Sequence, residues 1–175
     1  MTDTFEDLGF AKLDLSRPER TGMPETVYCA GKSREQLAEI FKVFQNQNYP
    51  VLGTRCSPEQ AAFVKAAGVD IEYDAVSKIV MLRAGKKPKL NGRIAVCCGG
   101  TADIPVAEEA AGTAAFFGAG VDRHFDVGVA GIHRLFAKLD LIREADVVIA
   151  VAGMEGALAG VVAGLVETPV IAVPT

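Results

Sequence analysis

The chain of 175 residues has little of what marks several common protein classes. It carries no excess of positive charge: 18 Lys and Arg stand against 22 Asp and Glu, for a formal charge of −4 and a pI near 5.2. A dedicated nucleic-acid surface needs a basic face that displaces counterions from phosphates, so that class is excluded, and an anionic ligand must meet a local cluster of cations. Cysteine is scarce and unpatterned. Cys29, Cys56, Cys97 and Cys98 form no C-x-x-C pair, which speaks against a zinc site or a disulfide scaffold and for a reduced, cytoplasmic protein. Two histidines and scattered carboxylates set no metal-ligand spacing. The N-terminus is acidic and lacks the basic flank and apolar stretch of a signal peptide. Asp146, Glu155 and Glu167 break up the most apolar region, residues 145–175, so no uncharged run there is long enough to cross a bilayer, and no membrane partner is expected.

What is present is apolar and regular. Half of the residues are hydrophobic, 23% are charged and the mean hydropathy is +0.24, which suits a packed globular chain of one domain or two small ones. Residues 1–25, charged and punctuated by Pro18, Gly22 and Pro24, read as an extended arm with at most a short helix. Residues 26–84 read as a small α/β domain. Its first helix is announced by Ser33 with Gln36 in the capping-box position ahead of Leu37, Ile40, Phe41 and Phe44, and its second by Ser57-Pro58. The basic, proline-containing stretch at 85–92 is the expected linker. From residue 93 to 175, short apolar strands alternate with helices, with strands expected at 93–98, 125–129, 146–151 and 169–173 and helices at 104–117, 132–139 and 154–165. Continuous apolar strands alternating with helices imply a doubly wound parallel sheet of flavodoxin-like or Rossmann-like type.

In such folds ligands bind beyond the carboxyl ends of the strands. Three loops qualify. In Gly99-Gly100-Thr101-Ala102-Asp103 the glycines admit backbone N–H groups to a phosphate, Thr101 offers a hydroxyl and Asp103 a ribose-accepting carboxylate; a plain βα turn with a capping side chain is the alternative. Gly131-Ile132-His133-Arg134 pairs a proton shuttle with a bidentate anion grip, although His133 can equally be a surface residue at a helix start. Gly153-Met154-Glu155-Gly156 places one carboxylate in an otherwise uncharged stretch, either as an acid–base group or as a first-turn helix charge. Gly118-Ala119-Gly120 lacks the third glycine of a dinucleotide fingerprint, and no Gly-Lys-Ser/Thr ending marks a P-loop.

These three loops, in this order, resemble the PurE family of aminoimidazole ribonucleotide carboxylases and mutases, as does the closing Glu167-Thr168-Pro169-Val170-Ile171-Ala172-Val173-Pro174. Gly100-Thr101-Ala102-Asp103 replaces that family's Ser-x-Ser-Asp, and Gly153-Met154-Glu155-Gly156 replaces an Ala-Ala-His-Leu stretch. With the arm Leu13-Asp14-Leu15-Ser16-Arg17-Pro18-Glu19-Arg20-Thr21-Gly22-Met23-Pro24-Glu25 and with Gly31-Lys32, these departures are similar to the LarB branch of the superfamily.

That resemblance implies a pyridinium-3,5-biscarboxylic acid mononucleotide synthase of nickel-pincer nucleotide biosynthesis. Nicotinic acid adenine dinucleotide is carboxylated at ring C5, with CO2 or bicarbonate as co-substrate, and its phosphoanhydride is hydrolysed to release AMP. No tightly bound cofactor is implied, Mg2+ is left open, and a homo-octamer is the implied assembly. An electron-poor pyridinium must be converted to an enamine before C5 can attack carbon dioxide, a task suited to a thiolate. A base then removes the C5 proton, with Glu155 or His133 as candidates and Asp103 beside them. Gly99, Gly100, Thr101, Gly131, Gly153 and Met154 would line the substrate, and Arg134, Lys32, Arg17 and Arg20 would hold its anionic groups, with Arg55 behind them. The family continues past the proline equivalent to Pro174 to a nucleophilic cysteine, so the chain is expected to be C-terminally truncated, its sheet incomplete and the thiol missing. The alternatives are a PurE-type carboxylase or mutase acting on an aminoimidazole ribonucleotide, and a non-catalytic nucleotide-binding module.

Overall fold

The computed structural model describes residues 5–84 and 90–175. Most of the expected linker, 85–89, lies outside the described residues, as do residues 1–4. The chain divides into two compact units, residues 1–87 and 88–175.

In the first unit the expected arm carries more structure than its composition suggests. Phe5–Asp7 (β1) pairs antiparallel with Lys12–Asp14 (β2), and Arg17–Thr21 (α1) is the anticipated short helix, stopped by Gly22 in the left-handed conformation. Leu13 is buried while its neighbours stay outside. An alternation only three residues long is too short to announce a strand in the sequence. Thr26–Tyr28 (β3), Arg34–Asn46 (α2), Val51–Thr54 (β4), Pro58–Ala66 (α3), Glu72–Asp74 (β5) and Ile79–Leu82 (β6) complete the unit. The sheet order is β3-β4-β6-β5, with β3 and β4 parallel and the other pairs antiparallel. Both serine caps close full capping boxes, each hydroxyl accepting the backbone N–H of Gln36 or Gln60 while that glutamine accepts the serine N–H. The period set by Leu37, Ile40, Phe41 and Phe44 turns one face of α2 into the core, where it meets Val27, Val51, Val64 and Val80.

The second unit holds Arg93–Cys98 (β7), Ile104–Phe116 (α4), Gly120–His124 (β8), Ile132–Phe136 (α5), Leu139–Arg143 (α6), Val147–Ala152 (β9), Ala157–Ala163 (α7) and Val170–Pro174 (β10). All strand pairs are parallel, in the order β10-β9-β7-β8. Alternate residues of the central strands feed two cores: Ala95, Cys97, Val148 and Ala150 pack with Leu135, Ile142, Leu158 and Val162, whereas Val96, Cys98 and Val151 pack with Ala107 and Ala111 of α4. Helices therefore cover both faces, as expected of a PurE-like doubly wound sheet.

Three local expectations are corrected. The second strand of this sheet is Gly120–His124 rather than 125–129; as an edge strand it carries Asp122 and Arg123, which hide it from a search for apolar runs. The helix expected at 132–139 is two short ones, α5 and α6. The helix expected at 154–165 begins only at Ala157, because Met154 (φ 56°) and Gly156 (φ 67°) sit in the left-handed region, which an α-helix cannot contain.

His124, at the end of β8, is buried with its Nε2 unpartnered. Burial holds its pKa below the usual value of 6.5; Asp122 opposes this and Lys138 reinforces it. Because the folded state favours the neutral ring, its stabilisation is complete above pH 6.5 and is lost as pH falls through the lower folded value. Urea denaturation of the wild type should therefore show declining stability below pH 6.5, and His124→Leu should flatten that acid limb. Parallel limbs would exclude His124 as its source.

Candidate active site

The order β10-β9-β7-β8 places a topological switch point between β7 and β9: the chain leaves β7 toward β8 on one side and later returns to β9 and β10 on the other. Loops leaving two such strands diverge and open a crevice at their carboxyl ends. A cavity of about 560 Å3 lies there. Its floor and walls come from Gly99, Gly100 and Asp103 after β7, from Gly128, Ala130 and Arg134 after β8, and from Gly153, Met154 and Glu155 after β9, with Thr175 at the end of β10.

Each wall is built by close backbone approach. The Cys98 carbonyl accepts the Val127 N–H at 3.0 Å and the Gly99 N–H donates to the Val151 carbonyl at 2.9 Å, drawing the three loops together. At Gly128 a Cβ would stand 2.5 Å from the Gly99 carbonyl oxygen and 3.2 Å from its carbon, so only glycine lets these two loops touch. Gly131 has a different reason: a Cβ there would stand 2.6 Å from Nε and 3.0 Å from Cζ of Arg134. The Nε–Nη2 edge of the guanidinium thus lies against Gly131, and its Nη1 forms an ion pair with Asp126. Asp126 is itself in the left-handed conformation (φ 58°), which a short polar side chain tolerates better than most.

Asp103 closes its own loop. One carboxylate oxygen accepts the Gly100 N–H at 2.8 Å and the other accepts the Thr175 hydroxyl at 2.7 Å. The carboxylate is thereby fixed at the cavity wall with acceptor capacity remaining on both oxygens. Glu155 stands at the rim, exposed, in the irregular turn between two left-handed residues rather than in a helical first turn. The cavity's charged lining is two carboxylates, Asp103 and Glu155, and one arginine that already faces Asp126. Such a wall suits a ligand with both a cationic and an anionic portion better than a purely anionic one.

Of the expected site residues, Gly99, Gly100, Asp103, Arg134, Gly153, Met154 and Glu155 line one cavity. Thr101 is exposed on a single 3-10 turn and His133 is exposed on the first turn of α5; neither lines it. Gly131 acts beneath Arg134 rather than at the surface of the cavity. Lys32, Arg17 and Arg20 belong to the first unit, where the Lys32 ammonium donates to the Tyr28 carbonyl at 2.7 Å, Arg17 stands 3.9 Å from Glu25 and Arg20 pairs with Asp14. Asp126, Gly128 and Thr175 were not anticipated. A positive φ at an aspartate, a glycine between two valines and a threonine after a strand carry no distinctive sequence pattern, and their roles arise only from contacts between loops.

The four cysteines are buried, and none lines the cavity. Burial pushes the Cys97 thiol up to about 12, with Cys98 adding to the effect, and burial likewise raises Cys98, whose Sγ lies 3.6 Å from the Gly100 carbonyl oxygen. Among the described residues no group of three or more His, Cys, Asp or Glu is placed to hold a metal ion, and no helix is long and apolar enough to cross a membrane.

Comparison with known proteins supplies the family. Residues 5–85 match the LarB/PurE-like N-terminal domain, and residues 93–175 match AIR carboxylase. An uncharacterized protein of Methanocaldococcus jannaschii is 38% identical over 172 residues, covering 94% of this chain and 67% of that protein. The chain belongs to the LarB/PurE-like family. N5-carboxyaminoimidazole ribonucleotide mutase of the same organism is 40% identical over 84 residues, which cover 46% of this chain and 51% of that enzyme. Membership in the LarB/PurE-like family points to a carboxylase- or mutase-related function, and the switch-point cavity is the candidate site.

Proposed function

We propose that the chain binds nicotinic acid adenine dinucleotide in the switch-point cavity and serves the carboxylation of its pyridinium ring, with hydrolysis of the phosphoanhydride and release of AMP. The observation that carries this reading is the pairing, in one chain, of a LarB-type N-terminal domain with an AIR carboxylase domain. The charge pattern supports it: a zwitterionic ligand, with a cationic ring and an acidic substituent, matches a cavity lined by Asp103, Glu155 and Arg134. In this reading Arg134 grips the nicotinate carboxylate, and Glu155 removes the C5 proton after a thiolate, which no residue lining this cavity supplies, has added beside C5 and carbon dioxide has bonded to C5; the thiolate leaves as the ring regains its aromaticity. CO2 or bicarbonate is the co-substrate, and the homo-octamer of the resembling families is the proposed assembly.

The test supplies the dinucleotide, labelled bicarbonate and a small-molecule thiol as the nucleophile, and follows AMP and label incorporation. Turnover that falls at least about a hundredfold in Glu155→Gln, with dinucleotide affinity retained, is the expected result for a general base. Equal loss of affinity and turnover would assign Glu155 to binding instead. A second reading rests on the 40% identity with the mutase: consumption of an aminoimidazole ribonucleotide, with no AMP from the dinucleotide, would replace the first. Calorimetric binding of the dinucleotide without turnover would leave a nucleotide-binding module.

A further inference from the structure

The first unit contains two thiols that the site does not use. Cys29 follows β3 and Cys56 follows β4, neighbouring parallel strands in which Tyr28 stands opposite Thr54. The Cys29 N–H donates to the Thr54 carbonyl at 2.9 Å, carrying the pairing one step beyond the strands. Strict alternation would place Cys56 on the opposite face of the sheet from Cys29. Arg55, at φ 53°, breaks that alternation, and Cys56 joins Cys29 in the same core. The space for the Cys29 sulfur exists because residue 53 is glycine: a Cβ there would stand 2.8 Å from that sulfur. Cys29 and Cys56 lie one and two residues beyond the register pair Tyr28–Thr54, at the ends of adjacent strands of one core. Cys97 and Cys98, although adjacent in sequence, face opposite cores and cannot pair with each other.

We propose that Cys29 and Cys56 are a modification site, a dithiol that a hydroperoxide converts into an intramolecular disulfide. The Cys56 thiolate attacks one oxygen of the O–O bond and becomes a sulfenic acid, and the other oxygen, taking the thiol proton, leaves as water when the oxidant is hydrogen peroxide. The Cys29 sulfur then attacks the Cys56 sulfur, forming the S–S bond, and the sulfenic oxygen departs with the Cys29 proton as a second water. Two thiols lose two electrons, and one peroxide gains them. The order follows from the structure. The neighbouring Cys56 and burial raise the Cys29 thiol above the usual range, whereas the neighbouring Cys29 lowers Cys56, which adjoins the loop that opens α3. Cys29 is fully buried and Cys56 nearly so, so the reagent is one little larger than water.

The experiment treats the full chain with hydrogen peroxide, denatures it in an alkylating agent and maps the peptides. Alkylatable thiols should fall from four to two, with the missing pair in a Cys29–Cys56 linked peptide that dithiothreitol restores. The link should form at least about tenfold faster in the folded chain than in urea, because the fold holds the sulfurs together. Cys29→Ala should leave Cys56 to accumulate oxygen adducts instead. The wild-type map decides the matter even where that variant folds poorly. Four free thiols, a link to Cys97 or Cys98, an interchain link, or equal rates in urea would each overturn the proposal.

Discussion

Gly128→Ala is expected to lower dinucleotide turnover by about a hundredfold or more, by moving a wall of the cavity rather than removing a functional group. The added Cβ would stand 2.5 Å from the Gly99 carbonyl oxygen, 3.2 Å from the carbonyl carbon and 3.4 Å from Cα. All three are backbone atoms, so no side chain can rotate out of the way, and the Gly99–Gly100 turn must shift bodily. That turn holds Asp103 through the Gly100 N–H, so the displacement passes to the carboxylate on the opposite wall. The stability cost should be about 1–3 kcal/mol, in the range of overpacking substitutions. Unfolding and ligand titration on the same preparation separate the two effects. A variant of wild-type activity would show that the turn is not part of the working site.

The second large effect is expected at Arg134. Its guanidinium has its Nε–Nη2 edge against Gly131 and its Nη1 on Asp126, which leaves the group oriented before any ligand arrives. Arg134→Ala should weaken dinucleotide binding by about 1.5–3 kcal/mol, roughly 10- to 150-fold, the worth of a hydrogen bond to a charged group. Arg134→Lys should recover only part of this, since an ammonium keeps the charge and loses the planar fork. The circular dichroism spectrum should stay unchanged, because the side chain is only half-buried and lies outside the cores. Equal affinities for wild type and both variants, measured by calorimetry, would remove Arg134 from the anion site.

The residues that proved legible in the sequence are those whose roles are local. Ser33 and Ser57 declare their helices because a capping box is completed within four residues. The stripe from Leu37 to Phe44 declares a buried face because helical periodicity is itself local. Gly99, Gly100, Asp103, Arg134 and Glu155 could be nominated because glycine-rich loops following apolar strands mark where such folds bind ligands. The misreadings have equally physical origins. β8 escaped notice because an edge strand tolerates charges such as Asp122 and Arg123. The turn at Met154–Gly156 passed for helix because a left-handed methionine has no sequence signature. That His133 and Thr101 stand outside the cavity was not legible either, since a sequence does not say which way a side chain leaves a short turn.

By itself, then, the sequence determined the alternation of strands and helices, the two-part organisation with its family resemblance, and which loops line the cavity. Those properties depend on periodicity, capping and glycine placement over a few residues. Tertiary structure alone decided which loops meet, that Gly128 must be glycine to let one backbone cross another, that Arg134 rests on Gly131 against Asp126, and that Cys29 and Cys56 share a core while Cys97 and Cys98 do not. These contacts join residues distant along the chain or turn on a single backbone angle, and only the register of packed strands brings them together.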